Sequence, residues 1–388
     1  MVVMGVRGVL GACLLAFLAY CGISLWAARR WKLAAGVPDA DWTPYVTLLK
    51  PVAGVDAEAY DNFASFCRLD YPPDRIQYLF GALDASDPAL ALVKDLHWEF
   101  PHLDIQTVVT GDPPVEATNL KVCNLIGMLP HARHDLLVLC DSDMRARPDY
   151  LRRVVAPFRP GEKRVGMVTC PYRGARALNF AAVLEALGIG SDFIPGVLVS
   201  RALEGVGFAL GSTIALPKSV LEEIGGFEPL IDELADDFRL GEATRKAGYE
   251  VVLSDYVIDD VLGREAFGSM WSRRLRWART VRACRPAGYA GAFITHGLGL
   301  GLLFLVASGF ALYGWVALLS VLIVRIATAM LIAATCTGDA AVMRYALALP
   351  LSDLISFALY IVSYCGNGIT WRGKRFRLLP GGKLQRIA

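Results

Sequence analysis

Several kinds of functional site are missing from this 388-residue sequence. Its nine cysteines include no C-x-x-C pair, so the common zinc and redox sites have no support, and buried reduced thiols on the cytoplasmic side are expected. None of its five histidines stands in a serine or cysteine nucleophile motif, and His131 and His134 indicate a polar loop rather than a zinc site. The net charge is only +2, and no tract of basic residues is interleaved with aromatic ones, so no nucleic-acid surface is indicated.

Charge is also missing from residues 8–28, which form a mostly apolar stretch long enough to span a bilayer. A cleaved signal peptide is the alternative, but such a peptide usually has a shorter apolar core and a small-x-small cleavage site. The stretch ends in Arg29-Arg30-Trp31-Lys32, a basic cluster that the positive-inside rule places in the cytoplasm. The sequence therefore predicts an uncleaved transmembrane anchor over residues 1–32, followed by a cytoplasmic domain.

The C-terminal part of the chain contains three long apolar segments. Arg325 and Asp353 interrupt them, and charges inside a membrane segment usually face protein or water. The basic tail should be cytoplasmic, so an even number of crossings is needed, and we expect the segment with Pro350 to be re-entrant or interfacial. The segments are residues 293–313, 315–336 and 345–366, and they predict a membrane region over residues 291–370 and a cytoplasmic tail over residues 371–388.

Between the two membrane regions, strand patterns alternate with helix patterns. Such an alternation implies a largely parallel sheet, and the ligands of such a sheet bind beyond the carboxyl ends of its strands. The sequence therefore predicts a cytoplasmic α/β domain over residues 33–290. The predicted strands cover residues 45–49, 77–83, 105–109, 136–140, 165–170 and 250–253, and the predicted helices cover residues 58–67, 88–100, 119–129 and 238–247.

Carboxylates follow two of these predicted strands. Asp84 comes after the second strand, and Asp141 and Asp143 come after the fourth. Alternate carboxylates at a strand end could bind one divalent cation and bridge it to a diphosphate, although an Asp-x-Asp is also common in polar turns. We predict that Asp143 is a direct metal ligand and that Asp141 contacts the metal or a ribose. Asp84 could cap the helix that begins near Pro88, but we favour a contact with the base or ribose of a nucleotide.

Three further polar residues lie near the same predicted edge of the sheet. Lys50 ends the first strand, and Lys121 and Asn124 lie in the first turns of a predicted helix. Lys121 could neutralise a phosphate, and Asn124 could orient a base or ribose, whereas a solvated helix start is the alternative. We predict that all three residues take part in nucleotide binding.

Asp236 and Asp237 precede the predicted helix over residues 238–247. The free N–H groups of a helix N-terminus stabilise a charged carboxylate, so helix capping is one explanation. The other explanation is catalytic, because attack by an acceptor hydroxyl needs a base that removes its proton. We assign Asp237 as this base and Asp236 as a supporting group.

Arg273, Arg276 and Trp277 are spaced so that they share one face of a helix. An interfacial helix that docks on the membrane is one explanation, because the cluster lies shortly before the apolar segments. The other is that the arginines bind a leaving diphosphate while Trp277 stacks near a sugar or closes the site. Both roles are compatible with an acceptor that enters from the membrane.

These motifs, in this order, resemble the ceramide glucosyltransferase family and its bacterial relatives, among them the glycosyltransferases associated with hopanoid biosynthesis. The resemblance extends over about residues 43–384. It is carried by residues 48–56, 69–72, 84–88, 119–125, 140–143, 234–237, 273–277 and 371–377.

The resemblance implies a GT-A fold, a UDP-sugar donor, an inverting mechanism and a membrane lipid acceptor. It places donor binding on Asp84 and Asp141, base catalysis on Asp237, and the Arg-x-x-Arg-Trp role on the helix cluster. The eukaryotic ceramide enzymes typically have glycine where this chain has Asp143. The fuller Asp-x-Asp of this chain therefore favours dependence on Mg²⁺ or Mn²⁺.

Residues 240–243, 275–282 and 286–289 are more similar to the hopanoid-associated group than to the ceramide group. In that group the resemblance implies transfer of N-acetylglucosamine from UDP-N-acetylglucosamine to bacteriohopanetetrol, at the inner membrane of a bacterium. Glucosylation of ceramide from UDP-glucose is the alternative within the enzyme class. A non-catalytic membrane scaffold is the alternative from another class, and the intact Asp237 and Arg-x-x-Arg-Trp argue against it.

Overall fold

The computed structural model describes residues 2–34, 36, 42–113, 117–161, 164–371 and 373–387. The chain forms two compact units. The helical unit consists of Met1–Leu33, Arg176–Leu203 and Arg264–Ala388. The sheet unit consists of Ala34–Ala175 and Glu204–Gly263.

The strands and helices are numbered in chain order. The strands are β1 Val46–Pro51, β2 Ile76–Ala82, β3 Asp104–Val109, β4 Leu136–Leu139, β5 Met144–Arg145, β6 Val165–Thr169, β7 Tyr172–Ala177, β8 Ile214–Pro217, β9 Glu250–Leu253, β10 Ile258–Gly263, β11 Gly368–Trp371, β12 Lys374–Leu378 and β13 Leu384–Arg386. The helices are α1 Val2–Leu33, α2 Ala59–Cys67, α3 Ala89–Glu99, α4 Leu120–Met128, α5 Tyr150–Val155, α6 Phe180–Gly188, α7 Ile194–Glu204, α8 Lys218–Glu223, α9 Asp236–Lys246, α10 Phe267–Cys284, α11 Pro286–Gly291, α12 Gly297–Ala307, α13 Leu312–Ile332, α14 Ala340–Arg344 and α15 Leu349–Ser363.

The sheet unit is built on a seven-stranded sheet with the order β3-β2-β1-β4-β8-β6-β9. β1 pairs in parallel with β2 and β4, β2 pairs in parallel with β3, and β6 pairs in parallel with β9. The predicted α/β class with a largely parallel sheet is therefore confirmed. β8 is antiparallel to both of its neighbours and was not predicted, because an apolar run of four residues does not identify a strand.

Helices cover both faces of this sheet. Alternate residues of each strand point to opposite sides, so neighbouring residues of one strand pack against different helices. In β4, Val138 packs in one buried cluster with residues of α2, α3 and α5. Its neighbours Leu137 and Leu139 pack in a second buried cluster with residues of α4 and α9. Strands buried on both faces explain the nearly continuous apolar runs from which the sheet was predicted.

The strand order places a ligand-binding edge at the centre of the sheet. From β1 the chain builds β2 and β3 on one side, and it then returns to add β4 on the other side of β1. Ligands of parallel sheets bind at such a change of direction, beyond the carboxyl ends of the strands. The segments that follow β2 and β4 contain Asp84 and Asp141, as predicted from the sequence.

In the helical unit, four helices are long and apolar enough to cross a membrane, judged by length and composition among the described residues. A fifth crossing results if a bent pair of helices counts as one span, since Pro286–Thr295 and Gly297–Ala307 meet at 62°. The bend between apolar helices thus lies at His296, whereas the re-entrant or interfacial position expected for the segment with Pro350 stays a prediction. Pro350 lies in the first turn of α15, where proline is well tolerated. The four helices are Met4–Leu33, Phe180–Glu204, Leu312–Thr337 and Ala346–Ser363.

The segment Phe180–Glu204 was not recognised as apolar enough to span a membrane from the sequence. It interrupts the predicted domain over residues 33–290, and most of it is buried within the helical unit. Its burial against the other apolar helices explains why it folds with them and not with the sheet. The boundaries of the two units therefore differ from the predicted domain boundaries.

The two charges that interrupt the apolar segments bind each other. Arg325 on α13 donates to both carboxylate oxygens of Asp353 on α15, at 3.0 and 2.7 Å, and to the hydroxyl of Ser191 at 3.0 Å. Charges within apolar helices are expected to face protein in this way. The interaction joins three segments of the helical unit.

The basic tail predicted from the sequence contains β12 and β13, which form a small antiparallel sheet with the preceding β11. Ile369, Phe376, Leu378 and Leu384 are buried, whereas most basic side chains of these strands are exposed. The alternation of apolar and basic residues therefore produces a sheet with one buried face.

Candidate active site

The site in the sheet unit lies at the carboxyl edge of the parallel strands. Asp84 is exposed and lies two residues after β2, where its carboxylate accepts a hydrogen bond from the N–H of Ser86 at 2.8 Å. Asp141 lies two residues after β4 and is partly exposed. Two of the predicted donor-binding carboxylates thus follow the two strands that flank β1.

Lys121 joins two of the carboxylates. Its ammonium lies 2.6 Å from Asp141 Oδ1 and 3.7 Å from Asp236 Oδ2. Burial acts to lower the pKa of Lys121, but the charges of Asp141 and Asp236 outweigh it, and the pKa is raised. Lys121 is therefore held as a cation between the segment after β4 and the start of α9, where it could neutralise a phosphate.

Asn119 fixes the positions of Lys121 and Asp236. As the N-cap of α4, its side-chain oxygen accepts hydrogen bonds from the N–H groups of Lys121 and Val122, at 3.1 and 3.2 Å. Its amide nitrogen donates to the carbonyl of Glu233 at 2.9 Å and to Asp236 Oδ1 at 3.2 Å. One buried side chain therefore connects the start of α4 with the start of α9.

Asp237 lies in the first turn of α9, as expected, and both of its oxygens accept hydrogen bonds from the main chain. Gly211 donates to Oδ2 at 2.9 Å, and Phe238 donates to Oδ1 at 2.7 Å. Burial and then the charge of Asp236 raise the pKa of Asp237 to about 6, although Lys121 opposes the shift. A fixed carboxylate with a pKa closer to neutrality has the properties of a general base.

Asp143 has the properties of a cation ligand. Its Oδ1 is buried and has no hydrogen-bond partner among the described residues. Burial, followed by the charges of Asp141 and Asp56, raises the pKa of Asp143 to about 7. A carboxylate held beside other carboxylates without a partner is stabilised when a cation binds, so the residues fit the predicted Mg²⁺ or Mn²⁺.

Among the described residues, no three His, Cys, Asp or Glu side chains form a ready-made metal site. Mg²⁺ is commonly bound by one or two carboxylates together with the phosphates of the substrate. Asp143 and Asp141 would be these carboxylates, and the donor would supply the phosphate oxygens. The loop that contains Asp143 is fixed by β10, because the N–H of Val261 donates to the carbonyl of Asp143 at 3.0 Å.

Lys50 and Asn124 are engaged inside the fold. Lys50 is fully buried, donates to the carbonyl of Asp141 at 2.7 Å and lies 4.1 Å from the ring centroid of Phe66, and burial lowers its pKa. Asn124 donates to the carbonyl of Gly81 at 2.7 Å, at the end of β2. Their geometry favours positioning of the site segments over the direct nucleotide contacts predicted from the sequence.

Two site residues were not found from the sequence. Gly211 donates to Asp237, and an added Cβ at this glycine would lie 3.0 Å from Asp141 Oδ2 and 3.4 Å from Lys121 Nζ. Asp56 accepts a hydrogen bond from the hydroxyl of Ser142 at 2.5 Å and raises the pKa of Asp143. Gly211 stands in no recognisable pattern, and Asp56 only ends one of the blocks that carry the resemblance. Each contributes to the site through partners that are distant in the sequence.

Arg273, Arg276 and Trp277 lie on α10 of the helical unit. Arg273 donates to Glu185 at 3.1 Å and to Glu265 at 2.6 Å, so its charge is balanced by two carboxylates. This pairing connects α10 with α6, and the role of Arg273 in binding a leaving diphosphate stays a prediction. The guanidinium of Arg276 lies 5.5 Å from the ring centroid of Trp371, and Trp277 is partly exposed.

Known proteins are similar to this chain over most of its length. The chain matches glycosyl transferase family 21 over residues 9–384. Ceramide glucosyltransferase 1 of Caenorhabditis elegans is 27% identical over 243 residues, which are 63% of this chain and 51% of that protein. The beta-monoglucosyldiacylglycerol synthase of Synechocystis sp. is 25% identical over 252 residues, 62% of this chain and 49% of that protein. The chain thus spans about half the length of these relatives.

A solved structure shares the fold. The mannosyltransferase of Pyrobaculum calidifontis, in complex with GDP-mannose and Mn²⁺, superimposes with a TM-score of 0.53 at 17% identity, over 92% of this chain and 99% of that chain. At this identity the likeness shows the fold alone, which is the GT-A type predicted from the sequence. Together with the family match over nearly the whole chain, it shows that the protein is a glycosyltransferase and belongs to glycosyl transferase family 21.

Proposed function

We propose that this protein transfers a sugar from a UDP-sugar to a hydroxyl of a membrane lipid, with inversion at the anomeric carbon. The observation that carries the proposal is the group formed by Asp237, Lys121, Asp141 and Asp143 at the carboxyl edge of the sheet. It provides a base of raised pKa, a fixed cation and a pair of carboxylates suited to a metal-bound diphosphate.

The reaction requires a single displacement. Asp237 takes the proton of the acceptor hydroxyl while its oxygen forms a bond to the anomeric carbon. The bond between that carbon and the diphosphate oxygen breaks, and UDP leaves with the electron pair. Lys121 offsets part of the developing negative charge. A divalent cation held by Asp143 and Asp141 would supply further neutralisation of the leaving diphosphate.

Asp84 is proposed to contact the base or ribose of the donor. It is exposed two residues after β2, at the edge of the sheet where ligands of parallel sheets bind. Lys50 and Asn124 support the same site by fixing Asp141 and the end of β2. Arg276 and Trp277 are proposed to act on the leaving diphosphate and the sugar.

A lipid acceptor is supported by two features of the molecule and its relatives. The helical unit contains the four apolar helices described above, and the relatives are named for acting on ceramide or diacylglycerol. We propose a multi-pass protein with its sheet unit in the cytoplasm, because Arg29, Arg30 and Lys32 follow the apolar part of α1. A bacterial inner membrane is the corresponding location.

The identity of sugar and lipid is tested by product analysis. The purified protein in detergent is given UDP-glucose or UDP-N-acetylglucosamine, Mg²⁺ or Mn²⁺, and bacteriohopanetetrol, ceramide or diacylglycerol. An N-acetylhexosamine adduct on the hopanoid is expected from the residues that resemble the hopanoid-associated group. A hexose adduct on ceramide is the second candidate, which the names of the relatives favour. Binding of the donor without an adduct on any lipid would contradict the proposal.

Gly211→Ala should reduce transfer roughly tenfold to a hundredfold, because small displacements of reacting groups have effects of this size. The new Cβ would press on Asp141 and Lys121 and lie 3.5 Å from Asp237 Oδ2. The rate of UDP release with donor and acceptor measures the loss. Gly291→Ala is the control, since an added Cβ there meets nothing within 4 Å. Equal rates for the two variants would show that the space beside Gly211 is not needed.

A further inference from the structure

The helical unit contains an open cavity of about 540 Å³, and Arg276 is the one lining residue to which the proposed reaction assigns a role. Its walls come from the beginning of α10 and from β11 of the C-terminal sheet. Three residues with hydroxyl side chains, Ser269, Ser272 and Thr370, belong to the lining, together with Arg276 and Trp371. The volume is in the range of sites that bind small organic molecules.

The lining suits a neutral ligand that is rich in hydroxyl groups. An indole presents a broad apolar face, and three hydroxyl side chains can each donate and accept hydrogen bonds. Arg273 also lies in the wall, but Glu185 and Glu265 balance its charge at 3.1 and 2.6 Å. Because Arg273 is already paired, its charge contributes little to attracting a polyanion, and the remaining hydroxyl-bearing and indole side chains suit a polyol.

The position of the cavity suits the head of a membrane lipid. β11 begins at Gly368, shortly after the apolar helix Ala346–Ser363 ends. Arg279 and Arg282 of α10 donate to the carbonyls of Gly368 and Gly366, so the two walls are held together. A cavity at the end of a candidate membrane span lies where the polar head of an amphiphile is found.

We propose that this cavity binds the hydroxyl-rich head of the lipid acceptor, with Trp371 as the surface on which the head packs. The contact between Arg276 and Trp371 then has a second use, because the guanidinium keeps the indole in place and adds a hydrogen-bond donor at the same wall. The inference rests on the proposed function, and it makes Trp371 a residue that selects the acceptor rather than the donor.

The test compares Trp371→Ala, Trp371→Phe and Ser272→Ala with the full-length protein in detergent. We expect Trp371→Ala to raise the KM for the lipid acceptor roughly tenfold or more, the loss expected for removing a large packed side chain. The KM for the UDP-sugar and the slow hydrolysis of UDP-sugar without acceptor should be unchanged. Trp371→Phe should restore most of the acceptor affinity, and Ser272→Ala should raise the acceptor KM by a smaller factor.

Trp315→Ala is the matched control, because Trp315 is exposed on α13 of the same unit. A raised KM for the UDP-sugar with an unchanged acceptor KM would assign the cavity to the nucleotide and overturn the inference. Unchanged constants in both Trp371→Ala and Ser272→Ala would also overturn it. If Trp371→Ala does not fold, Ser272→Ala and Trp371→Phe decide the question. Failure of the wild-type protein to glycosylate any lipid would instead contradict the proposed function.

Discussion

Asp237→Asn should abolish glycolipid formation, with a fall in kcat of roughly 10² to 10⁴, while binding of the UDP-sugar persists. The amide keeps the shape of the side chain, and its single oxygen can accept the hydrogen bond from Gly211 or the one from Phe238, but it cannot take a proton from the acceptor hydroxyl. Product formation is measured by mass spectrometry, and donor binding is measured by calorimetry with UDP.

Asp232→Asn is the control for this variant. Asp232 lies in the same loop before α9, where it accepts a hydrogen bond from the hydroxyl of Thr118 at 3.2 Å, and it has no proposed part in the reaction. We expect its kcat to remain close to that of the wild type. Normal glycolipid formation by Asp237→Asn would remove Asp237 as the base. Loss of UDP binding together with activity would indicate a structural role for this carboxylate instead.

The pH dependence of the wild-type enzyme provides a second measurement of the same carboxylate. Asp237 acts only in its charged form, and its pKa is raised to about 6, first by burial and then by Asp236. The rate should therefore rise with pH through about 6 and level off above it, whereas an ordinary aspartate would already be fully active there. An acidic limb near pH 4 would show that the environment of Asp237 is more polar when the substrates are bound.

The sequence was sufficient to predict where the parallel strands end, and hence where Asp84 and Asp141 lie. These strands are buried on both faces, so they stand out as apolar runs, and polar residues directly after them mark the carboxyl edge of the sheet. The position of Asp237 in the first turn of α9 could be predicted for a similar reason, because a helix pattern follows it in the sequence. Local patterns of this kind do not depend on distant parts of the chain.

Contacts between distant residues could not be predicted in the same way. Whether Lys50 faces a ligand or the interior depends on Asp141, which lies far along the chain. The role of Gly211 depends on Asp237, and the pairing of Arg273 depends on Glu185. A lysine or an arginine at a strand end or on a helix gives the same sequence pattern whether it contacts a ligand or another residue of the protein. Only the folded chain distinguishes a ligand contact from an internal one.

The carboxylates of the site lie so close together that they repel one another when no cation or donor is bound. The pKa values of Asp143 and Asp237 are both raised, and in each case burial is the first cause and a neighbouring carboxylate is the second. Lys121 balances Asp141 and Asp236, but Asp143 Oδ1 has no such partner among the described residues. The site is therefore strained electrostatically, and the proposed cation would relieve this strain. Stability and function should respond in opposite directions when Asp143 is changed.

Asp143→Asn should stabilise the metal-free protein and abolish metal-dependent transfer. The pKa of Asp143 is about 7 in the folded protein, above the ordinary value of 3.8, so the folded state holds its proton more tightly than the unfolded state. The free energy of unfolding is consequently lowered as pH rises from about 4 to about 7, and it stays lowered above pH 7. Asparagine does not titrate, so the variant avoids this loss of stability and should have a higher Tm than the wild type at pH 8 in EDTA.

Added Mn²⁺ or Mg²⁺ should reverse the order of the two proteins. The cation partners the buried oxygen of Asp143, so the Tm of the wild type should rise with metal concentration, while that of Asp143→Asn should not. Asp70→Asn is the control, because the side chain of Asp70 is 70% exposed and forms a surface ion pair with Arg152, which contributes little to stability. A metal-dependent rise in Tm that persists in Asp143→Asn would place the cation on other residues. Equal Tm values in EDTA would show that the charged carboxylate of Asp143 does not destabilise the folded protein in solution. The electrostatic argument for the metal site would then be wrong.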